Sequence, residues 1–353
     1  MKKVLALMLT LAMCLSTAAC ASGGTTGTTS TASTAAPASA AAGTDSTAAS
    51  GGAKKFTIAV MPKLVGIPYF TQTGTGAEKA GKDLDVNVIY TGPTKADAAE
   101  QVKMIEDLIT RKVDAICVAP NDAAAVIPVL QKAKKAGILI LDWDTPVNNP
   151  IIDASIHQID DKEFGEHMID SLVKAMGTDS GDFAYMTGGL SASNLNSWYD
   201  AGMAYAKTKY PNLHLVTDKI PSDEKQQEAY SKTLDLIKAY PTLKGIIGLS
   251  TPAPLGCAQA VREKGLQDKI AVVGSAVKED CQEYLKDGSL DIGSLWDCEK
   301  LGYLTVSVAK TMLEGKKLTN GMDIQGIDGA GKLQLKDDGK TVIMGAPQDY
   351  VKG

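Results

Sequence analysis

A set of polar, charged and planar side chains falls where apolar runs stop: Lys63, Trp143 and Asp144, Asn194 and Trp198, Thr251, and Trp296 and Asp297. All three tryptophans of the chain belong to this set. Such a mixture suits a sugar-like ligand, whose hydroxyls both donate and accept while its C–H faces lie flat on aromatic rings. Asp144 and Asp297 can accept charge-assisted bonds from hydroxyls, and Lys63 can donate to a ring or carbonyl oxygen. Phe70, beside Tyr69 at the start of a helical pattern that continues with Ala77 and Ala80, is a candidate for stacking on a ligand or for packing. Each residue also has a structural alternative. Lys63 can be a solvated loop lysine, Trp143 and Trp296 core aromatics, Asp144 and Asp297 helix caps or hinge holders, and Asn194 the N-cap of a helix.

Motifs for covalent chemistry are largely absent. There is no Gly-x-Ser-x-Gly elbow, P-loop or metalloprotease helix, and His157, His167 and His214 are the only histidines. Gly74-x-Gly76 lacks the third glycine of a dinucleotide fingerprint. The expectation is a protein without catalytic residues, metal or cofactor.

The elements that must position these residues alternate. Strand-like runs at Thr57–Met61, Val86–Tyr90, Ala115–Ala119, Ile138–Asp142, Phe183–Met186, Leu213–Asp218, Gly245–Leu249 and Ile270–Gly274 are separated by helical patterns. Examples are Ala98, Val102, Ile105 and Ile109, then Val126, Leu130 and Ala133, then Tyr230, Leu234 and Ile237. Near-continuous apolar strands joined by helical crossovers predict parallel sheets covered on both faces. The series restarts after Asp182. The predicted fold is therefore α/β, with two doubly wound parallel-sheet lobes joined by a hinge that the chain crosses several times. Crossings are expected at His157–Lys162, at Leu295-Trp296-Asp297 and at the glycine-rich stretch Gly321–Gly331. On this reading residues 54–158 with 297–322 form the N-terminal lobe, and 159–296 with 323–353 the C-terminal lobe. Ligands of open parallel sheets bind beyond the carboxyl ends of the strands, so two facing lobes frame one cleft.

Lys2 and Lys3 precede the apolar run Val4 to Leu15, which ends at Ser16-Thr17-Ala18-Ala19-Cys20. Residues 1–19 read as a secretory signal and Cys20 as the lipidated first residue of the mature chain. Residues 20–53, almost entirely Ala, Gly, Ser and Thr, read as a disordered tether. The expected location is extracytoplasmic, with the chain held by lipid at the outer face of the cell membrane or in the periplasm. Loss of Lys2 and Lys3 takes the formal charge from −5 to −7, which argues against nucleic acid as a partner. Cys117, in an apolar run, reads as a small buried hydrophobe. With Cys257, Cys281 and Cys298 it allows three disulfide pairings, among which the sequence does not choose.

The segments that carry these residues resemble the type I periplasmic binding proteins of sugar ABC transporters, in the branch of the autoinducer-2-binding and rhamnose-binding proteins. The resemblance spans about Phe56 to Val351. It rests on Pro62-Lys63-Leu64-Val65-Gly66 with Phe70-Thr71, Tyr90-x-Gly92-Pro93-Thr94, Leu141-Asp142-Trp143-Asp144, Asn194-x-Asn196-x-Trp198, Ala239-Tyr240-Pro241-x-Leu243, and Leu295-Trp296-Asp297 with Leu301-Gly302. It implies a monomeric lipoprotein that closes on a small polar ligand and delivers it to an ABC transporter permease. The autoinducer-2 pattern would place contacts at Lys63 and Asp144, an Asp-Gln pair where this chain has Asn194-Leu195, and Pro and Ala at Leu249 and Thr251. Two of those six positions match. Asn194-x-Asn196-x-Trp198 and Thr251 are more similar to the rhamnose side, and Leu195 suits a deoxysugar methyl. The expected ligand is thus a monosaccharide or related polyol, with autoinducer-2 as the alternative. Two other roles share these features. One is a sugar sensor that signals to a kinase or chemoreceptor, and the other a surface glycosidase using Asp144 and Asp297, whose carboxyls would need to stand ~5–10 Å apart.

Overall fold

The computed structural model describes residues 55–352. The expected signal, tether and Cys20 lie outside them.

The chain first lays down β1 (Thr57–Met61), α1 (Pro68–Asp83), β2 (Asn87–Tyr90), α2 (Ala98–Thr110), β3 (Ala115–Val118), α3 (Ala123–Lys135), β4 (Leu139–Trp143) and β5 (Ala154–His157). A second series follows: α4 (Asp161–Met176), β6 (Ser180–Thr187), α5 (Ser193–Lys209), β7 (Asn212–Leu215), β8 (Ile220–Pro221), α6 (Gln226–Ala239), β9 (Leu243–Gly248), α7 (Pro252–Glu263), β10 (Ala271–Ser275), α8 (Lys278–Asp287) and β11 (Ile292–Leu295). The remainder is α9 (Cys298–Leu313), β12 (Asp323–Gly326), β13 (Gly329–Lys332), β14 (Thr341–Ile343) and β15 (Gln348–Val351).

Two large sheets result, ordered β14-β5-β4-β3-β1-β2 and β15-β11-β10-β9-β6-β7, with β8 beside β6, and β12 and β13 form a small third sheet. All pairings in the first sheet are parallel; in the second, only β15 on β11 runs antiparallel. The two lobes and their α/β class are as the alternation of apolar strands and amphipathic helices predicts. Ile58 to Met61 and Ala115 to Val118 have no exposed surface, as strands covered on both faces require. Each such Val or Ile contributes roughly 1.5–3 kcal/mol of transfer free energy. Helix ends follow local chemistry. Asp97, Asp122, Asp160 and Asp297 accept backbone N–H bonds at the starts of α2, α3, α4 and α9, while Pro68 and Pro252 open α1 and α7.

Gly76 belongs to no nucleotide fingerprint. A Cβ there would lie 1.9 Å from the Glu299 carbonyl oxygen, and one at Gly302 would lie 1.9 Å from that of Thr73. These glycines let α1 and α9 pack backbone to backbone.

The segment His157–Lys162 carries the chain from β5 into α4, and Leu295-Trp296-Asp297 carries it from β11 into α9, which returns to pack on α1. The third expected crossing is corrected. Gly321–Gly331 runs into the hairpin of β12 and β13, whereas β14 pairs with β5 in the first sheet and β15 with β11 in the second. The chain thus crosses last between Ile343 and Gln348, and the stretch 323–353 contributes a strand to each sheet. The sequence concealed this because β14 is only three residues long and carries no period of its own. All four cysteines among the described residues are free and buried, so none of the three pairings forms.

Candidate ligand-binding site

Both sheets share an order in which the second strand lies outside the first and the third strand on its other side. Adjacent crossovers therefore leave in opposite directions from β1 and β3, and again from β6 and β9, opening a crevice at each carboxyl edge. A small cavity lies where these edges face each other.

On the first wall, Lys63 follows β1 and Asp144 follows β4. The Asp144 backbone takes a left-handed φ of 61°, a conformation costly outside glycine and often found at functional sites. Its carboxylate is already engaged. The Tyr69 hydroxyl donates to Oδ1 at 2.6 Å, the Thr145 hydroxyl to Oδ2 at 2.8 Å, and the Lys63 ammonium lies 3.6 Å from Oδ2. Burial, and then the Asp144 charge, holds the Tyr69 phenol well above its ordinary range, so it remains a donor. The Trp296 indole N–H donates to the Tyr69 hydroxyl at 3.1 Å. Behind Lys63 the loop is braced: Asn121 Nδ2 donates to the Lys63 carbonyl at 2.7 Å, and Gln101 Nε2 to those of Pro62 and Ala119 at 3.0 and 2.9 Å.

On the second wall, Asn194, Leu195 and Trp198 come from the first turns of α5, with Leu249, Ser250 and Thr251 beyond β9, Ser275 at the end of β10, and Glu224 beyond β8. Ala192, not Asn194, occupies the cap position of α5. Asn194 Oδ1 instead accepts from Lys63 Nζ at 3.1 Å across the cleft. Ser191 and Ser193 hydroxyls also cross, donating to the carbonyls of Asn121 and Pro146 at 2.8 and 2.6 Å. An aromatic chain runs beneath both walls. Trp296 stands edge-on to Tyr69, Phe164 and Trp198 with centroids 6.1, 5.6 and 5.8 Å away.

Of the residues singled out in the sequence, Lys63, Phe70, Asp144, Asn194, Trp198, Thr251 and Trp296 line the cavity. Two others do not. Trp143 is wholly buried, its indole N–H donates to the Cys117 carbonyl at 3.2 Å, and it packs edge-on against Phe70. Strand alternation explains this, because adjacent residues point to opposite faces. Asp297 is exposed and caps α9, accepting from the Lys300 amide at 2.9 Å. With Asp297 outside the cavity, the carboxylate pair of the glycosidase alternative is not assembled there.

Tyr69, Leu195, Glu224, Leu249, Ser250 and Ser275 complete the lining together with Ile67. Ser275 was legible by the rule that found Thr251, a polar residue ending an apolar run. Glu224 was not, since Ser222-Asp223-Glu224-Lys225 reads as a solvated loop. Among the described residues no group of three or more His, Cys, Asp or Glu side chains could hold a metal ion, and no helix is long and apolar enough to cross a membrane.

Known proteins match this chain along most of its length. A family model described as a periplasmic binding protein domain covers residues 58–317. The ribose import binding protein RbsB of Bacillus subtilis is 24% identical over 269 residues, 76% of this chain and 85% of that protein. Among solved structures, LsrB from Clostridium saccharobutylicum in complex with AI-2 superposes with a TM-score of 0.78 at 26% identity, covering 84% of this chain and 97% of that one. A solute-binding protein of an ABC transporter from Clostridium phytofermentas with bound L-rhamnose gives 0.77 at 25% identity, covering 84% and 96%. With two doubly wound sheets facing one cavity and the family model spanning both, the chain belongs to the periplasmic binding proteins of type I.

Proposed function

We propose that this protein is the extracytoplasmic, lipid-anchored binding component of an ABC transporter and that it takes a monosaccharide or related polyol between its lobes. The observation that carries this reading is the buried Lys63–Asp144 pair of the first wall facing the buried amide of Asn194 on the second. Leu195 and Leu249 supply an apolar edge beside it. A ring with several hydroxyls and one less polar side, such as a deoxysugar, meets both surfaces. Contacts that exist only when the lobes are together stabilise the closed form, which a permease then recognises. The names of the matched ribose-import and rhamnose-bound proteins support the same class. Anchoring through Cys20 rests on the sequence alone. It is tested by mass spectrometry of the mature N-terminus, and a Cys20→Ser chain should lose its membrane association.

The LsrB match favours one second reading, autoinducer-2. Lys63 and Asp144 suit it. Leu195 argues against it, because replacing a paired polar contact in a buried site costs about 1–3 kcal/mol.

A thermal-shift screen of the purified protein against aldoses, deoxysugars, pentitols and autoinducer-2 separates these readings. A true ligand at 100 times its dissociation constant stabilises by about 2.7 kcal/mol. A hit from autoinducer-2 alone would replace the sugar, and silence across the whole panel would remove both.

A further inference from the structure

The mechanism described so far leaves Glu224 unused. Its side chain lines the cavity and is 7% exposed, and among the described residues no lysine, arginine or histidine lies within ion-pairing distance of it. Resting on the sugar-binding reading above, we propose that Glu224 is a specificity-determining residue that accepts hydrogen bonds from ligand hydroxyls and turns anionic sugars away.

The local backbone is shaped to present this carboxylate. Asp223 and Glu224 both adopt left-handed φ values, 52° and 56°, and two such non-glycine residues in succession are held only where surrounding structure demands it. The Ser250 hydroxyl and the Gly189 amide favour the charged form of the carboxylate. A Cβ on Gly188 would lie 2.1 Å from Glu224 Oε1, so the chain leaves out a side chain where the carboxylate passes. A second observation in the same cavity points to a ligand. Ser275 is 1% exposed and its hydroxyl has no hydrogen-bond partner, an unmet capacity rare in folded interiors.

Charge completes the argument. Asp144 and Glu224 bring two carboxylates and Lys63 one ammonium to the cavity. Lys63 is already shared between Asp144 and Asn194. A neutral polyol offers O–H donors to Glu224 and both donors and acceptors to Ser275. A uronate or sugar phosphate would add negative charge to a buried site that has no cation left to meet it. Burial raises the Glu224 carboxyl above its ordinary range while the Lys63 charge works against this, in keeping with a group that lacks a direct cationic partner.

The test uses the full chain and calorimetric titration with L-rhamnose, D-ribose, D-galactose, D-galactosamine and D-galacturonate. The wild-type protein is expected to bind at least one neutral sugar and to reject the uronate. E224Q should weaken the best neutral sugar at least tenfold and narrow its advantage over the uronate at least tenfold, and S275A should weaken it severalfold. An E224Q protein that melts like wild type yet keeps both the affinity and the discrimination overturns the proposal, as does tight uronate binding by the wild type. If E224Q does not fold, E224D keeps the charge but withdraws it by one methylene. It should weaken neutral sugars while still excluding the uronate, and unchanged affinity overturns the proposal equally. Absence of binding by every sugar defeats the sugar reading itself, whereas sugar binding indifferent to Glu224 defeats only this inference.

Discussion

On the wall that follows β1 and β4, Asp144 has a hydroxyl on each oxygen and Lys63 beside it, while Gln101 and Asn121 pin the backbone behind. On the opposing wall, among the described residues, the Ser275 hydroxyl has no hydrogen-bond partner, and Glu224 feels the Lys63 charge without forming an ion pair with it. The first wall is thus organised before any ligand arrives and presents its groups without rearrangement. The second holds unspent hydrogen-bonding capacity, which only a guest in the cleft can use. Affinity should accordingly depend most on the first wall and selectivity most on the second.

Removing the centre of the organised wall should have the largest effect. Asp144→Ala strips the partner from Lys63 and the acceptor from Tyr69, so ligand affinity should fall at least a hundredfold in titration calorimetry. The unliganded protein should lose about 3 kcal/mol in chemical denaturation, as expected when one member of a buried ion pair is deleted. Wild-type affinity in that variant would place the ligand elsewhere.

Supports of the same wall can be probed by pH. Asp142, just before Trp143, accepts from the Ser155 hydroxyl and the Val147 amide, and His157 Nε2 lies 2.9 Å from the same Ser155 hydroxyl. Burial pushes the Asp142 carboxyl up to about 7 and the His157 imidazole down to about 4. A raised carboxyl binds its proton more tightly in the folded state, so its contribution is present below about pH 4 and is lost as pH rises to about 7. A depressed imidazole contributes above about pH 6.5 and is lost as pH falls through about 4. Between these limits the slopes oppose, with spans of roughly 4 and roughly 3 kcal/mol. The contributions of these two groups should therefore largely cancel from pH 4 to 6.5. Measured against the wild-type protein at each pH, His157→Gln should lose stability as pH rises through that range, and Asp142→Asn should gain it. Parallel curves for the two variants would show that these groups do not titrate with folding.

The smallest expected change is on the selective wall. Leu195→Gln should shift preference about tenfold from a 6-deoxysugar to its hydroxylated counterpart in competition titrations, with little change in overall stability. If the ratio stays constant, Leu195 does not face the ligand's apolar edge.

Much of this arrangement was legible in the chain. Apolar β-branched runs separated by helical periods imply covered parallel sheets wherever they occur, and polar residues at the ends of such runs fall at a carboxyl edge because the backbone leaves the sheet there. Lys63, Asp144, Asn194 and Thr251 were found by that rule. Trp143 was misplaced because a strand residue next to Asp144 points to the opposite face. Asp297 met the same rule, but its carboxylate serves its own helix.

What the sequence by itself determined is the local grammar: strands, helices, caps and the two βα series, all set by interactions among near neighbours. Only the tertiary structure decided that Glu224, in a loop of polar residues, would be buried against Ser250 and Gly189, and that β14 and β15 would part to opposite sheets. Burial of a charged loop residue and pairing of a three-residue strand depend on groups distant along the chain, which no local pattern of apolar spacing encodes.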